Sequence, residues 1–303
     1  MKEKSKYNGL LLLDKKPGLT SFESLGFIKK TLATGKVGHT GTLDKFASGL
    51  LIALSGYAGK LTPLFNICEK EYEAQVCFGI ETDTLDPEGE VIKETDIPER
   101  ESIEKALSAF RGVIQQAPPA FSAIHINGVR AHELARQGKM PEMKKRPVTI
   151  HKLELLSFEA PYAFIRVVCS SGTYIRSLAR DIAIAAGSSS HLVALKRTRI
   201  GGFLLKDAVM VTDTQNTVID ALKPITPEVF KSISIPFIYI NEKYINAIRH
   251  GQSLYSTLLK DIVDKLTGTI HGQVAGLFDK HNTLIAVLEQ KQGKWHYANV
   301  FVK

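Results

Sequence analysis

The sequence predicts an α+β fold: a mixed central sheet with flanking helices, followed by a small β-rich unit. Three observations carry this. Strand-length apolar runs are interspersed with amphipathic helical spacings, without the strict strand–helix–strand rhythm of a doubly wound parallel sheet. From about Ser234 the texture changes to short apolar runs separated by turn residues. The composition, 44% hydrophobic and 23% charged over 303 residues, is that of a globular protein, and no stretch approaches the roughly 18 consecutive apolar residues of a membrane span.

The N-terminal run GLLLL is too short for the core of a secretory signal and reads as a first strand, with the protein expected to be cytoplasmic. TSFESLGFIKKTL reads as a helix. Thr20 and Glu23 have capping-box spacing, and Phe22, Leu25, Ile28 and Leu32 recur at helical intervals. The glycine-rich ATGKVGHTGTLD ends it, and ASGLLIALSG then reads as a buried strand. In EKEYEAQVCFG, Tyr72, Ala74, Val76 and Phe78 alternate with polar residues, as on a strand with one buried face. DPEG at 86–89 is a turn. ESIEKALSAFRG is a second amphipathic helix, ended by Gly112.

YAFIRVVCSSGTYIRSLARDIAIAAG reads as a strand, a tight turn at SSG, and a helix buried along Ile175, Leu178, Ala179, Ile182 and Ala186. Arg176 falls off that stripe, in the first turn, where a cation opposes the helix dipole and needs a compensating partner such as a carboxylate. NEKYINAIRH is a short helix closed by Gly251. After it, QVAGLFD, TLIAVLEQ and KWHYANVFV, with turns at DKHN and KQGK, form the β-rich unit.

The net charge of +8 favours polyanionic partners. The charge is concentrated between 115 and 147, where Arg130, Arg136, Lys139, Lys144, Lys145 and Arg146 face only Glu133 and Glu142. Such a run is either a solvated loop or a nucleic-acid contact. Three cysteines, Cys68, Cys77 and Cys169, form no CxxC pair and are expected as buried free thiols. No phosphate-binding loop, dinucleotide fingerprint, zinc signature or GxSxG elbow is present, so neither a nucleotide cofactor nor a metal is expected.

What stands out is one acid, Asp44, among glycines in GHTGTLDKFASGLL, with Tyr72 on a strand and Arg176 at a strand-to-helix turn. Taken singly these are a turn-capping acid, a core tyrosine and a surface arginine. Together, GLLLLDKKPGLTS, GHTGTLD with ASGLL, KEYEAQVCFGIETDTLDPEG, FSAIHINGVRAHELARQG and CSSGTYIRSLARD with LKRTRIGGF resemble the successive motifs of the TruB-type pseudouridine synthases, in order, over about the first 205 residues.

The resemblance implies a largely antiparallel catalytic sheet over residues 1–233, with a basic RNA-binding insertion at about 122–152, and a PUA-like RNA-binding unit over 234–303. It implies a monomer without cofactor acting on the T-arm of tRNA, turning the uridine at position 55 of the T loop into pseudouridine after everting it. By the same resemblance Asp44 is the nucleophile and Arg176 its ion-pair partner. Tyr72 stacks on the uracil and assists at C5. Tyr174 and Leu195 line the pocket, and His39 and Lys15 contact RNA. The chain departs from the family at Lys45 and Phe46, which replace a usual Pro-Leu after the aspartate and place a cation beside it.

Overall fold

The computed structural model describes residues 7–126, 128–210, 215–269 and 273–301. The basic start Met1–Lys6, Asn127 of the fourth motif and Val302 of the last apolar run therefore lie outside the described residues. Among the described residues a ten-stranded sheet forms the larger layer. Its main path runs Val209–Met210, Gly9–Lys15, Ser48–Ser55, Ser190–Ile200, Lys70–Phe78, Tyr162–Cys169, Arg146–Glu159 and Gly112–Gln116. Val209–Met210 pairs parallel with Gly9–Lys15, and Ser190–Ile200 pairs parallel with Ser48–Ser55. The other pairs are antiparallel, so the sheet is mixed and largely antiparallel, as the sequence predicts.

The alternation read in Lys70–Phe78 holds, with Tyr72, Ala74, Val76 and Phe78 all buried. They meet Leu178, Ala179, Ile182 and Ala183 of the helix Ile175–Ala185 in one apolar cluster. That cluster also takes in Leu43 and Ala47, the residues flanking the Asp44 turn. The packing of the sheet thus fixes the height of the turn above it.

Three expectations need correction. Phe22 is 68% exposed rather than buried. The capping box does form, Thr20 N–H donating to Glu23 Oε2 at 2.7 Å and Glu23 N–H to Thr20 Oγ1 at 3.1 Å. The first turn it closes is a 3₁₀ turn, Glu23–Leu25, before the α-helix Gly26–Thr31, so the register from Phe22 to Leu25 is not α-helical and the ring turns outward, with Lys29 Nζ 4.0 Å from its centroid. Residues 146–152 belong to a strand of the central sheet, Arg146–Glu159, whose first five residues pair with Gly112–Gln116, so the basic excursion ends at 145. Arg176 is 5% exposed, not off the buried side of its helix. The three cysteines are free and buried, as expected.

A second sheet of four strands, Phe237–Tyr239, Val274–Phe278, Leu284–Lys291 and Lys294–Val300, follows. One face covers Ile240, Tyr244 and Ile248 together with Ile262 and Leu266. These last two lie on the helix Lys260–Thr269, which the sequence reading does not single out. The other face contributes Phe278, Leu284 and Val287 to a cluster containing Leu10, Leu12 and Leu50 of the large sheet. Phe230, on the short helix Pro227–Ser232, lies between the two sheets, edge-on to Phe278 at 5.1 Å. No helix among the described residues is long and apolar enough to cross a membrane.

Gly276 makes this junction possible, because a Cβ there would sit 2.6 Å from Phe230 Cε1 and 2.9 Å from Phe278 Cε2. Rigid rings on both sides leave it nowhere to relax, so Gly276→Ala should destabilise the fold by about 1–3 kcal/mol through overpacking. Thermal unfolding of the purified variant reads this directly; an unchanged midpoint would contradict the account of the junction.

Candidate active site

The turn carrying Asp44 runs from Val37–His39 to Ser48–Ser55, and its backbone is held at almost every residue. Gly41 C=O accepts from Arg197 Nη2 at 3.1 Å. Leu43 N–H donates to Ser21 Oγ at 2.9 Å, and the same hydroxyl donates to Leu43 C=O at 3.1 Å. Ala47 N–H donates to Asp44 C=O at 3.2 Å. Lys45 C=O accepts from Gly18 N–H at 2.8 Å and from Lys15 Nζ at 3.3 Å. The same Nζ reaches Ala47 C=O at 2.5 Å and Lys16 C=O at 3.1 Å.

Lys15 is therefore not where the sequence reading places it. It is 0% exposed, and its ammonium serves three carbonyls beneath the turn. Burial lowers its pKa to about 8, against the opposing pull of Asp44. A buried ammonium is tolerable only when its donors are satisfied, and here they organise the turn from below.

The glycines also act through close packing. Gly49 has φ +99°, and a Cβ there would fall 2.3 Å from Arg197 C=O. Only glycine permits that approach of the Ser48–Ser55 strand to its parallel neighbour.

Arg176 follows the N-cap Tyr174 and lies in the first turn of Ile175–Ala185. Its Nη2 donates to Asp44 Oδ1 at 3.0 Å and to Phe121 C=O at 3.0 Å, and its Nε lies 3.0 Å from Asp44 Oδ2. Nη1 donates to Asp86 Oδ2 at 3.0 Å and to Thr84 C=O at 2.9 Å. The compensating carboxylate expected from the helix dipole is thus two carboxylates. Asp86, read from sequence only as a turn residue, is the one that reasoning missed. It is 6% exposed, and Thr84 Oγ1 and Glu88 N–H donate to its Oδ1 at 2.6 and 3.0 Å. Nothing in the spacing of DPEG shows that its acid turns inward; the available signal was the cation at Arg176 opposing the helix dipole.

Asp44 keeps 36% of its side-chain surface open, yet its pKa is raised above the ordinary aspartate value. Burial is the main cause, Arg176 opposes it, and the nearby Asp86 charge adds to it. Arg176 therefore softens the burial penalty without reversing it, a weaker effect than an isolated ion pair would have.

Tyr72 faces Arg197 across the sheet pairing and lies in the same cluster as Leu43, Ala47 and Leu195. Burial raises its phenol pKa while Arg197 pulls it down. Arg197, 1% exposed, also donates through Nε to Leu50 C=O at 2.8 Å. It is a second residue that sequence reasoning passed over. Leu195 is 6% exposed and points into the same cluster, paired with Ala74.

His39 ends its strand with Nδ1 buried and without a hydrogen-bond partner among the described residues. Burial and the charges of Arg197 and Lys29 lower its pKa, which favours the neutral ring. Tyr174 is fixed through its backbone, its N–H donating to Gln116 Oε1 at 2.8 Å and its C=O accepting from Gln116 Nε2 at 3.1 Å. Arg146 lies 5.1 Å from its ring centroid. The structure thus brings Asp44, Arg176, Tyr72 and Leu195 together with the turn that Lys15 supports.

A family model described as the N-terminal domain of TruB family pseudouridylate synthases matches residues 29–175. The protein named tRNA pseudouridine synthase B of Borreliella burgdorferi (strain ZS7) is 44% identical, across 80% of this chain and 85% of its own length. The protein of the same name from Treponema denticola is 35% identical, across 86% and 89%. Among solved structures, a chain in a crystal structure of a Cbf5-Nop10-Gar1 complex superposes with a TM-score of 0.72 over 98% of this chain and 84% of that one. At 24% identity that likeness speaks for the fold alone. Sequence and architecture agree, and the chain belongs to the TruB family of pseudouridine synthases.

Proposed function

We propose that this protein isomerises a uridine of tRNA to pseudouridine, at position 55 of the T loop, with Asp44 as the catalytic carboxylate. The observation that carries the reading is the Asp44 carboxylate facing outward from a pinned turn, 3.0 Å from the guanidinium of a buried arginine. In the reaction the N1–C1′ bond breaks, the free base turns in place and C5 bonds to C1′. The proton on C5 is lost and N1 gains one. Nothing is oxidised and no group is added, so the chemistry asks for an anionic group near C1′ and C6, a surface that holds the loose base, and little else.

Asp44 supplies the anion. Its raised pKa makes it a more basic carboxylate than an exposed aspartate, while Arg176 opposes that rise by favouring the ionised form. Tyr72 offers a ring for the everted uracil; base–aromatic stacking is worth about 1–3 kcal/mol, comparable to the few kcal/mol lost on eversion. With its phenol held protonated at neutral pH, Tyr72 assists at C5 by positioning or relay rather than as a standing phenolate. Leu195 and Tyr174 close the pocket, and neutral His39 meets the displaced RNA.

In this reading residues 1–233 carry the chemistry, with the basic excursion from 122 gripping phosphates of a loop recognised by its shape. The PUA-like unit from 234 adds RNA contact. The enzyme works as a monomer without cofactor.

Incubating the protein with tRNA transcript carrying tritium at C5 of uridine should release tritium from the T-loop position, and no release would end the reading. Asp44→Asn should lower turnover by at least about a thousandfold while tRNA still binds; full turnover in that variant would remove Asp44 from the chemistry. Because Asp86 raises the Asp44 pKa, Asp86→Asn should move the acid limb of kcat/KM to lower pH. It should also cut turnover roughly tenfold or more as Arg176 loses an anchor, measured between about pH 4 and 7. A limb that moved upward would show that Asp86 acts chiefly by holding Arg176 in place. The isosteric change is the informative one, since removing Arg176 would leave buried Asp86 unpaired at a cost of about 3–5 kcal/mol.

A further inference from the structure

Lys45 follows Asp44 directly, and its backbone and side chain are in opposite situations. Its C=O is fixed by Gly18 N–H and Lys15 Nζ, so the residue cannot drift from the carboxylate beside it. Its side chain is 54% exposed, and its Nζ lies 3.9 Å from Glu88 Oε1, itself 51% exposed. Glu23 also lies within electrostatic reach of this ammonium.

Glu88 sits on the same turn as Asp86, its N–H held by Asp86 Oδ1 at 3.0 Å. The two side chains thus bridge the Asp44 turn and the Asp86 turn, whose acids are joined beneath them by Arg176. An exposed pair at the limit of ion-pair distance contributes little to stability and exchanges partners readily.

An RNA that brings C1′ of a nucleotide to Asp44 brings backbone phosphates to the same edge. A lysine is a compact cation with rotatable donors suited to phosphate. We propose that Lys45 is a phosphate-contacting residue: on RNA arrival it leaves Glu88 for a phosphate next to the everted nucleotide, and Glu88 is its resting partner. This rests on the activity proposed above and assigns a binding role to the position where this chain carries a cation in place of the family's proline.

The test is equilibrium binding of unmodified tRNA to the full chain across a range of salt concentrations, which does not depend on turnover, with kcat and KM measured alongside. Lys45→Gln should raise Kd roughly three- to tenfold and flatten the slope of log Kd against log salt by about 0.7 to 1, one phosphate contact's share. Its kcat should stay within about twofold of wild type. Lys45→Arg should restore binding, and Glu88→Gln should tighten it by freeing the lysine. Unchanged Kd and salt slope in Lys45→Gln would overturn the proposal. So would a fall in kcat with Kd intact, which would make the pair a strut between the two turns. Failure of the wild type to release tritium while these binding shifts hold would count against the activity alone.

Discussion

A single guanidinium shared between two acids governs the geometry of this site. Arg176 carries one positive charge and lies beside both Asp44 and Asp86. Burying any one of these groups alone would be costly. Burying them together is sustainable because Thr84 and Phe121 carbonyls each take one further guanidinium hydrogen, and Thr84 Oγ1 and Glu88 N–H hold Asp86. Asp44 is the member with surface left over. It is held on one side and open on the other.

The turn that presents it has little regular structure of its own. Its order comes from below, through a buried ammonium and a buried guanidinium whose donors are directed at backbone carbonyls. Lys15 reaches Lys45 and Ala47, and Arg197 reaches Gly41 and Leu50. Using charged donors for this is stronger than using neutral ones, and the cost is a lysine whose pKa falls to about 8. Preorganisation of this kind holds the carboxylate in one orientation. The fourth motif reaches Arg176 through the Phe121 carbonyl, and the first reaches the Asp44 turn through Lys15.

Large parts of the fold were legible without coordinates. The alternation of Lys70–Phe78, the capping box at Thr20 and Glu23, and the helix Ile175–Ala185 are local patterns whose period survives in any tertiary setting. Phe22 failed because a 3₁₀ turn replaced the α-helical register over three residues, and the boundary of the basic excursion failed because composition does not reveal which lysines lie on a strand. Asp86 was illegible for a different reason. A turn residue with an acid is ordinarily solvated, and only the neighbour across space, 90 positions along the chain, makes it a buried ion.

The sequence by itself determined most of the strands and the longer amphipathic helices of the larger sheet, the sign of the net charge and which residue types the site had at hand, because these follow from side-chain periodicity and formal charge. Tertiary structure alone decided that Lys15 supports the turn from within, that Asp86 and Asp44 compete for one arginine, and that Lys45 faces Glu88. Each of these depends on desolvation and on distances between segments far apart in the chain, quantities to which no local pattern of residues is sensitive.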